Sequence, residues 1–299
     1  MTRRLTSRNF VFFLAVLAGL LFPQASAWTQ GLMIPALAMV MTLAVLNVPN
    51  HYFRNVRAIL VPSLAGIGMT YVLLSGVLLA LSALVITDEA VRIGFVLIAA
   101  VPPAVAVIPF TALLKGDVSY TLSGTVAAYL AALLAVPLMF GLFIETGFDR
   151  SNQLVLILME LIVLPLLLSR VILRFQWEEK ILPIRGFLTD WGFFIVLYSM
   201  IGVNRNLIFS QPLKILPIAA VAFGSTFLLG WLIRKTGHLL KMGEGKTVSL
   251  VLLGTLKNQG LAGGLAVTLF AKETALPSAI YSVFMILYVM WLDRRRKRD

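Results

Sequence analysis

The sequence predicts an all-α membrane protein with ten transmembrane helices, arranged as two inverted sets of five. The 299 residues are 60% hydrophobic and only 13% charged, and their mean hydropathy is +0.94. This apolar content far exceeds that of an ordinary soluble domain. Ten apolar segments each approach the ~20 residues needed to cross a hydrocarbon core about 30 Å thick. The fourth and ninth segments also carry helix-breaking residues at equivalent depth.

The predicted spans follow one another closely, so nothing outside them is long enough to form a soluble domain. In chain order, they are Phe10–Phe22, Trp28–Val48, Ala58–Ile86, Val91–Leu114, Val118–Ile144, Leu154–Leu173, Phe187–Val203, Ile215–Ile233, Val248–Phe270 and Leu276–Leu292. Residues 1–150 form the first predicted repeat, and residues 151–299 form the second. An odd number of spans per half inserts the second half upside down, as in many secondary transporters.

The lysines and arginines predict the orientation. With the N-terminus inside, most of the 25 basic residues fall on the cytoplasmic side, so both termini are expected there. The net charge of +12 then reflects topology and contacts with membrane lipids, not nucleic-acid binding. We expect an integral protein of a bacterial inner membrane. Residues Ala25 to Ala27 imitate a signal-peptide cleavage site, but we expect the first span to be retained because ten spans divide evenly into two repeats.

Lys257 is the only formal charge between Lys246 and Lys272, within a segment apolar enough to cross a bilayer. A lysine at the centre of a membrane helix costs about 2.5 to 3.5 kcal/mol on insertion scales. Such a residue usually faces a cavity, a partner or a solute. It therefore favours a transporter.

Both the fourth and the ninth spans contain residues that interrupt a helix. Pro102, Pro103 and Pro109 lie in the fourth span, while Gly254 and Gly260 flank Lys257 in the ninth. Proline removes a backbone donor, and glycine relaxes the helix, so backbone groups are left unpaired. At mid-membrane such groups persist only where they line a protein-enclosed or watery cavity. The alternative for the fourth span is a simple proline kink in a packed helix.

At these two breaks the sequence resembles the bile acid:sodium symporter family, including its bacterial members. The resemblance covers essentially the whole chain in layout and is carried by three groups of residues. These are Val101-Pro102-Pro103, the run Thr111 to Asp117 with Thr121 and Thr125, and Asn258-Gln259-Gly260-Leu261-Ala262. The resemblance implies a core of spans 3–5 and 8–10 in which two broken helices cross. It also implies a panel of spans 1, 2, 6 and 7, with a solute crevice between panel and core.

The chain departs from that family where its members bind two sodium ions. They use a Ser-Asn pair in the fourth span, a glutamate and a glutamine in the ninth, a glutamine in the third, and hydroxyls in the fifth. Aligned without gaps, this chain has at those positions Val107 and Ile108, Leu253, Lys257, Gly66, and the hydroxyls of Thr121 and Thr125. Sodium needs several oxygen ligands, as hard cations do. We therefore expect neither a sodium site nor another cofactor, and Lys257 in place of one lost ion.

The sequence allows two interpretations of Lys257. The amine could exchange a proton and couple transport to the proton gradient, or it could stay charged and hold the broken helices together through exposed carbonyls. Asn258 and Gln259 lie beside it, and they either face the solute crevice or bond to neighbouring helices. Glu160 is a second mid-span charge, predicted to act as a gate or proton site.

The predicted function is secondary transport of a small organic solute. A fixed positive charge at the crossing favours an anion by charge complementarity. The alternatives are a proton-coupled or uncoupled exporter or facilitator on the same fold, and a membrane receptor that does not transport. An intramembrane enzyme is not expected, because the sequence has neither a His-Glu-x-x-His helix nor the paired aspartates of membrane hydrolases.

Overall fold

The computed structural model describes residues 8–46, 56–104, 106–144, 156, 159–210 and 212–296. Within these ranges the regular structure is helical, apart from one isolated β-bridge, so the all-α prediction is confirmed. The α-helices are α1 Arg8–Leu21, α2 Ser26–Gln30, α3 Met33–Val45, α4 Val56–Ile67, α5 Ser75–Val85, α6 Glu89–Ala100, α7 Val107–Leu113, α8 Val118–Phe143, α9 Leu164–Arg174, α10 Glu178–Ser210, α11 Pro212–Phe223, α12 Leu229–Leu239, α13 Glu244–Leu253, α14 Gln259–Leu269 and α15 Leu276–Arg296.

Five helices in the described part of the chain are long and apolar enough to cross a membrane. They are Ile59–Val85, Val118–Phe143, Glu178–Asn206, Pro212–Leu239 and Lys272–Arg296. A bent pair, Phe10–Leu21 and Pro23–Gln30, turns by 91° and would be a sixth. The fourth and ninth predicted spans are divided into shorter helices. The start of the sixth predicted span lies partly outside the described residues.

The seventh predicted span is too short at both ends. It was expected over Phe187–Val203, whereas α10 runs from Glu178 to Ser210. Glu178 and Glu179 occupy its first turn, where carboxylates complement the positive end of the helix dipole. The hydrophobic segment marks only the part that is apolar enough for lipid, so the polar first turns of the helix were missed.

Two long helices contain π-helical turns. Gly68–Leu74 joins α4 to α5, and Gly224–Leu228 joins α11 to α12. These turns lie in the third and eighth predicted spans, which are equivalent in the two predicted repeats. A third π-helical turn, Met159–Val163, precedes α9.

The described helices bury three separate apolar clusters, one of which joins Val40 and Met41 of α3 to Tyr129 of α8. The main cluster joins α5, α6, α8 and α13 to α15, and includes Phe95, Leu252 and Tyr281. A smaller cluster joins α1 to α10 through Phe12 and Leu197. The breaks in the fourth and ninth predicted spans lie within the main cluster.

Helices α4 and α8 cross with their backbones in contact. A Cβ atom built on Gly66 would overlap the backbone of Gly124, so only glycine fits there. Gly66 stands where relatives were expected to place a sodium-binding glutamine. In this chain that position serves helix packing.

Candidate functional site

The two broken segments cross each other through backbone hydrogen bonds. The Ala104 amide donates to the carbonyl of Leu256 at 3.0 Å, and the Asn258 amide donates to the carbonyl of Pro102 at 2.9 Å. Together they form an antiparallel bridge that pairs Pro103 with Lys257. The fourth segment is therefore a broken helix and not a kinked one.

Local sequence explains where each helix ends. Val101 adopts an extended conformation with ψ of 156°, as expected for a residue before proline, and this ends α6. On the other strand of the crossing, Gly254 caps α13, and the side chain of Asn258 accepts a hydrogen bond from the Leu261 amide at 3.0 Å to begin α14. Pro109 lies in the first turn of α7, where proline is tolerated, and so does not itself make the break.

Lys257 is fully buried at the centre of this crossing. Its Nζ donates to the carbonyls of Ala99 at 2.7 Å and Val101 at 2.8 Å, and to the hydroxyl of Ser75 at 3.0 Å. It also lies 4.6 Å from the centre of the Tyr71 ring. The three ammonium hydrogens thus have three oxygen acceptors, and the aromatic face adds a cation–π contact.

The carbonyls that bind Lys257 come from the C-terminal end of α6. The last carbonyls of a helix have no partner within it and carry partial negative charge. A buried ammonium satisfies them and is itself stabilised. The Ser75 hydroxyl lies 2.6 Å from the Ala99 carbonyl, so α5, α6 and the ninth-span break meet at one polar cluster.

Side chains satisfy the carbonyls of the second break as well. Thr70 Oγ1 donates to the Leu253 carbonyl at 3.3 Å, and Tyr281 Oη donates to that of Thr255 at the same distance. Sequence reasoning did not find Thr70, Tyr71, Ser75 or Tyr281. Each belongs to another span, and an apolar segment gives no sign of which hydroxyl will reach a distant carbonyl.

Asn258 connects the crossing to two neighbouring helices. Its Nδ2 lies 3.4 Å from Tyr129 Oη on α8 and 3.6 Å from Met41 Sδ on α3. Tyr129 Oη in turn donates to the Pro103 carbonyl at 2.9 Å. Tyr129 was not predicted, although it follows Thr121 and Thr125 at four-residue intervals and therefore lies on the same face of α8.

The predicted polar residues differ in how well they are satisfied. Thr121 Oγ1 lies 3.0 Å from Thr111 Oγ1. Thr125 Oγ1 and both side-chain polar atoms of Gln259 are buried without a partner among the described residues. Buried polar groups nearly always have a partner in protein or water. These atoms are therefore candidates for contact with water or a solute.

Glu160 is not brought to Lys257. It lies in the Met159–Val163 turn with an exposed side chain, and the acceptors of the Lys257 ammonium are the two carbonyls and the Ser75 hydroxyl. Its role as a gate or proton site stays a prediction.

A cavity of about 480 Å³ lies beside the crossing, between α3 and α10 on one side and α7 and α8 on the other. Its lining includes Ala106, Pro109, Leu122, Arg185, Thr189 and Phe193. Around α14 the packing is closed instead. A Cβ atom on Gly260 would approach Leu37 of α3 to 2.8 Å and Val196 of α10 to 3.3 Å.

Comparison with known proteins agrees with this architecture. Residues 50–297 match the SBF-like CPA transporter family. The chain belongs to this family. The match confirms the resemblance to bile acid:sodium symporters and makes this SBF-like protein a transporter and not an enzyme.

Two proteins of Bacillus subtilis are similar to this SBF-like transporter. The uncharacterized sodium-dependent transporter YocS is 24% identical over 217 residues, which cover 70% of this chain and 67% of YocS. The uncharacterized protein YbaS is 24% identical over 200 residues, which cover 64% of each chain. A transporter family and several apolar helices together identify an integral membrane protein.

Proposed function

We propose that this SBF-like transporter moves a small organic anion across the membrane by alternating access, without sodium. In this proposal a panel of spans 1, 2, 6 and 7 moves against a core of spans 3–5 and 8–10. Lys257 provides a fixed positive charge in the core, where relatives in the bile acid:sodium symporter family hold a sodium ion.

The contacts of the Lys257 ammonium carry this proposal. Two carbonyls and one hydroxyl, all within 3.0 Å, surround it as oxygen ligands would surround a metal cation. A sodium ion in the same space would meet strong repulsion from the ammonium, because the surroundings are buried and screen charge poorly. Leu253, which replaces the expected glutamate, supplies no carboxylate to offset a second cation.

The name of YocS describes that relative as sodium-dependent, so this proposal separates the two proteins. At 24% identity the relatives can differ at individual ligand positions. The difference proposed here is confined to the side chains that would hold the ion, and the crossed-helix scaffold is retained.

Alternating access is supported by two features of the helices. The breaks at Pro103 and Lys257 and the π-helical turns Gly68–Leu74 and Gly224–Leu228 occupy equivalent spans of the two proposed inverted repeats. A cavity lies between α3, α7, α8 and α10, whereas Gly260 of α14 packs closely on α3 and α10. Because Arg185 in the cavity lining falls on the proposed cytoplasmic side, this arrangement corresponds to an inward-facing state.

An anion is favoured by the charges and by the unpaired polar atoms. Among the described residues, the contacts of Lys257 include no carboxylate, and the cavity lining contains Arg185. Thr125 and Gln259 have buried polar atoms able to bond to a solute. An anionic group would complement both the positive field and these donors.

A proton-coupled form of the mechanism is the second candidate. It is favoured by the complete burial of Lys257 and by the neutral character of its oxygen acceptors. A buried amine with neutral partners can lose its proton more readily than one held by a carboxylate. In this form Lys257 gives up its proton during the transport cycle.

Uptake by proteoliposomes tests the proposal and separates the two forms. Organic acids that stabilise the purified protein against heat would first be selected, since a ligand stabilises the state it binds. Saturable uptake of such an acid and counterflow driven by it are expected with choline in place of sodium. An imposed pH gradient should leave uptake unchanged in the uncoupled form and should accelerate it in the proton-coupled form. Absence of saturable uptake and counterflow would contradict transport of the selected anions.

A further inference from the structure

A second cavity lies away from the crossing, where the end of α7 meets α12, α13 and α15. Its volume is about 140 Å³. The polar part of its lining contains the cations Lys115, Arg234 and Arg296 together with Glu244. The remaining wall is largely apolar and includes Leu114, Val248 and Leu292. The cavity thus combines a basic rim with a hydrophobic wall.

The positive charge of this rim is only partly neutralised. Arg234 pairs with Glu244 at 2.7 Å, and Arg296 pairs with Asp293 at 3.1 Å through one terminal nitrogen. Arg296 Nε is buried and has no hydrogen-bond acceptor among the described residues. Lys115 is exposed and forms no ion pair within the described part of the chain. A donor and a full charge therefore remain for an anion.

Aromatic residues place the cavity at the level of the membrane surface. The amine of Lys235 lies 5.2 Å from the centre of the Trp231 ring on α12. The guanidinium of Arg295 lies 5.4 Å from the centre of the Trp291 ring on α15. Tryptophan beside basic residues is typical of the interface between lipid headgroups and acyl chains. Both tryptophans belong to helices that line the cavity, so its mouth lies where headgroups are.

We propose that this cavity binds the phosphate ester of an anionic phospholipid. The phosphate lies among Lys115, Arg234 and Arg296, because charge-assisted bonds from lysine and arginine suit phosphate oxygens. The glycerol and the start of an acyl chain lie against Leu114, Val248 and Leu292. A free phosphate compound offers the same charge but leaves this apolar wall uncovered.

Such a lipid would join two parts of the transport machinery. Lys115 lies two residues after the last residue of α7, and Glu244 and Thr247 lie in the first turns of α13. Helices α7 and α13 are halves of the two broken segments. A lipid bound here therefore stabilises one end of the crossed-helix core, independently of which solute is transported.

Native mass spectrometry of the full-length protein in detergent tests this site. Lys115→Asn is the informative variant, because Lys115 has a φ of 57° and asparagine tolerates that left-handed conformation. Lys241→Asn is the matched control, since Lys241 is also exposed, has a φ of 52° and lies outside the cavity lining. Wild type should bind phosphatidylglycerol in preference to phosphatidylcholine. Loss of one interfacial charge should weaken phosphatidylglycerol binding by about fivefold in Lys115→Asn and leave Lys241→Asn unchanged.

Two further measurements decide between the sources of phosphate. Glycerol 3-phosphate and inorganic phosphate are offered at equal concentration, and only weak binding is expected because neither covers the apolar wall. Binding of these soluble ligands as tightly as the lipid, with the same loss in Lys115→Asn, would overturn the lipid assignment. Equal loss of lipid in both lysine variants would overturn the site itself. Arg296→Gln provides an independent variant and should also weaken lipid binding about fivefold.

Discussion

The ammonium of Lys257 lies 2.7 Å from the carbonyl oxygen of Ala99, at the C-terminal end of the opposing broken helix. With Val101 and Ser75, this carbonyl completes the hydrogen bonding of a charge buried among apolar helices. The same contact ties the break in the ninth predicted span to the last turn of α6. The Lys257 charge is thus part of the crossing. It is also the feature by which this crossing differs from that of the bile acid:sodium symporters, which have a neutral glutamine at the aligned position.

Replacing Lys257 with methionine should destabilise the protein strongly. The change keeps an unbranched apolar side chain but leaves the Val101 carbonyl without its donor and the Ala99 carbonyl with only the Ser75 hydroxyl. One buried unpaired group costs about 1–3 kcal/mol, and a loss of this size is expected in the free energy of unfolding, measured by denaturant titration in detergent. Lys272→Met is the control because Lys272 is exposed. Equal effects of the two substitutions would contradict the role given to the crossing.

Asn258 should contribute to both the helix cap and the link to α8. Asn258→Ala removes the acceptor for the Leu261 amide, and loss of such a cap costs about 1 kcal/mol. Asn258→Ser keeps a neutral acceptor for the cap but loses the donor toward Tyr129. Thermal unfolding should therefore show a larger loss for alanine than for serine, whereas solute uptake should fall in both. A serine variant as unstable as the alanine variant would contradict the capping role.

The close crossing of α4 and α8 gives a sharp comparison between two glycines of one long helix. Gly66→Ala places a methyl group against the Gly124 backbone, and overpacking of this kind costs about 1–3 kcal/mol. Gly68→Ala is the control, because a Cβ atom there meets nothing within 4 Å. The first variant should unfold at a clearly lower temperature, and the second should be neutral or slightly stabilised.

The Asp88–Lys214 ion pair should make stability depend on pH. The hydrogen bond from Lys214, at 2.7 Å, holds the pKa of Asp88 below its ordinary value of 3.8. This stabilisation is present above the ordinary pKa and is lost as the pH falls through the lowered pKa in the folded protein. Both groups are partly exposed, so the effect is at most about 1 kcal/mol.

Asp88→Asn isolates this ion pair, because asparagine also caps the start of α6. The melting temperature of wild type should exceed that of the variant at pH 6. The difference should vanish as the pH falls below the ordinary carboxyl range. A difference that persists unchanged at low pH would show that the ion pair is not its cause.

The sequence predicted the broken helices and the burial of Lys257 because both follow from local chemistry. Proline and glycine interrupt helices wherever they occur in a chain, and a lone lysine in an apolar segment must be enclosed. The acceptors of that lysine could not be predicted in the same way. Ser75 and Tyr71 are 182 and 186 residues away, and their approach depends on how the third predicted span packs.

Two other residues show where sequence patterns were insufficient. Glu160 was marked by its depth in an apolar segment, but that depth does not indicate which face it occupies, and its side chain is exposed. Tyr129 was passed over because an aromatic residue in a membrane helix is usually interpreted as packing. Its hydrogen bond to the Pro103 carbonyl depends on how α8 packs beside the crossing, which the sequence of α8 does not specify.

Sodium binding by the purified wild-type protein tests the central claim most directly. Thermal unfolding would be followed while sodium chloride replaces choline chloride at constant ionic strength, since any ion that binds the folded state raises its stability. With Lys257 in place of the ion, the unfolding temperature should be the same in both salts. A saturable rise specific to sodium, abolished in Thr125→Ala, would contradict the account.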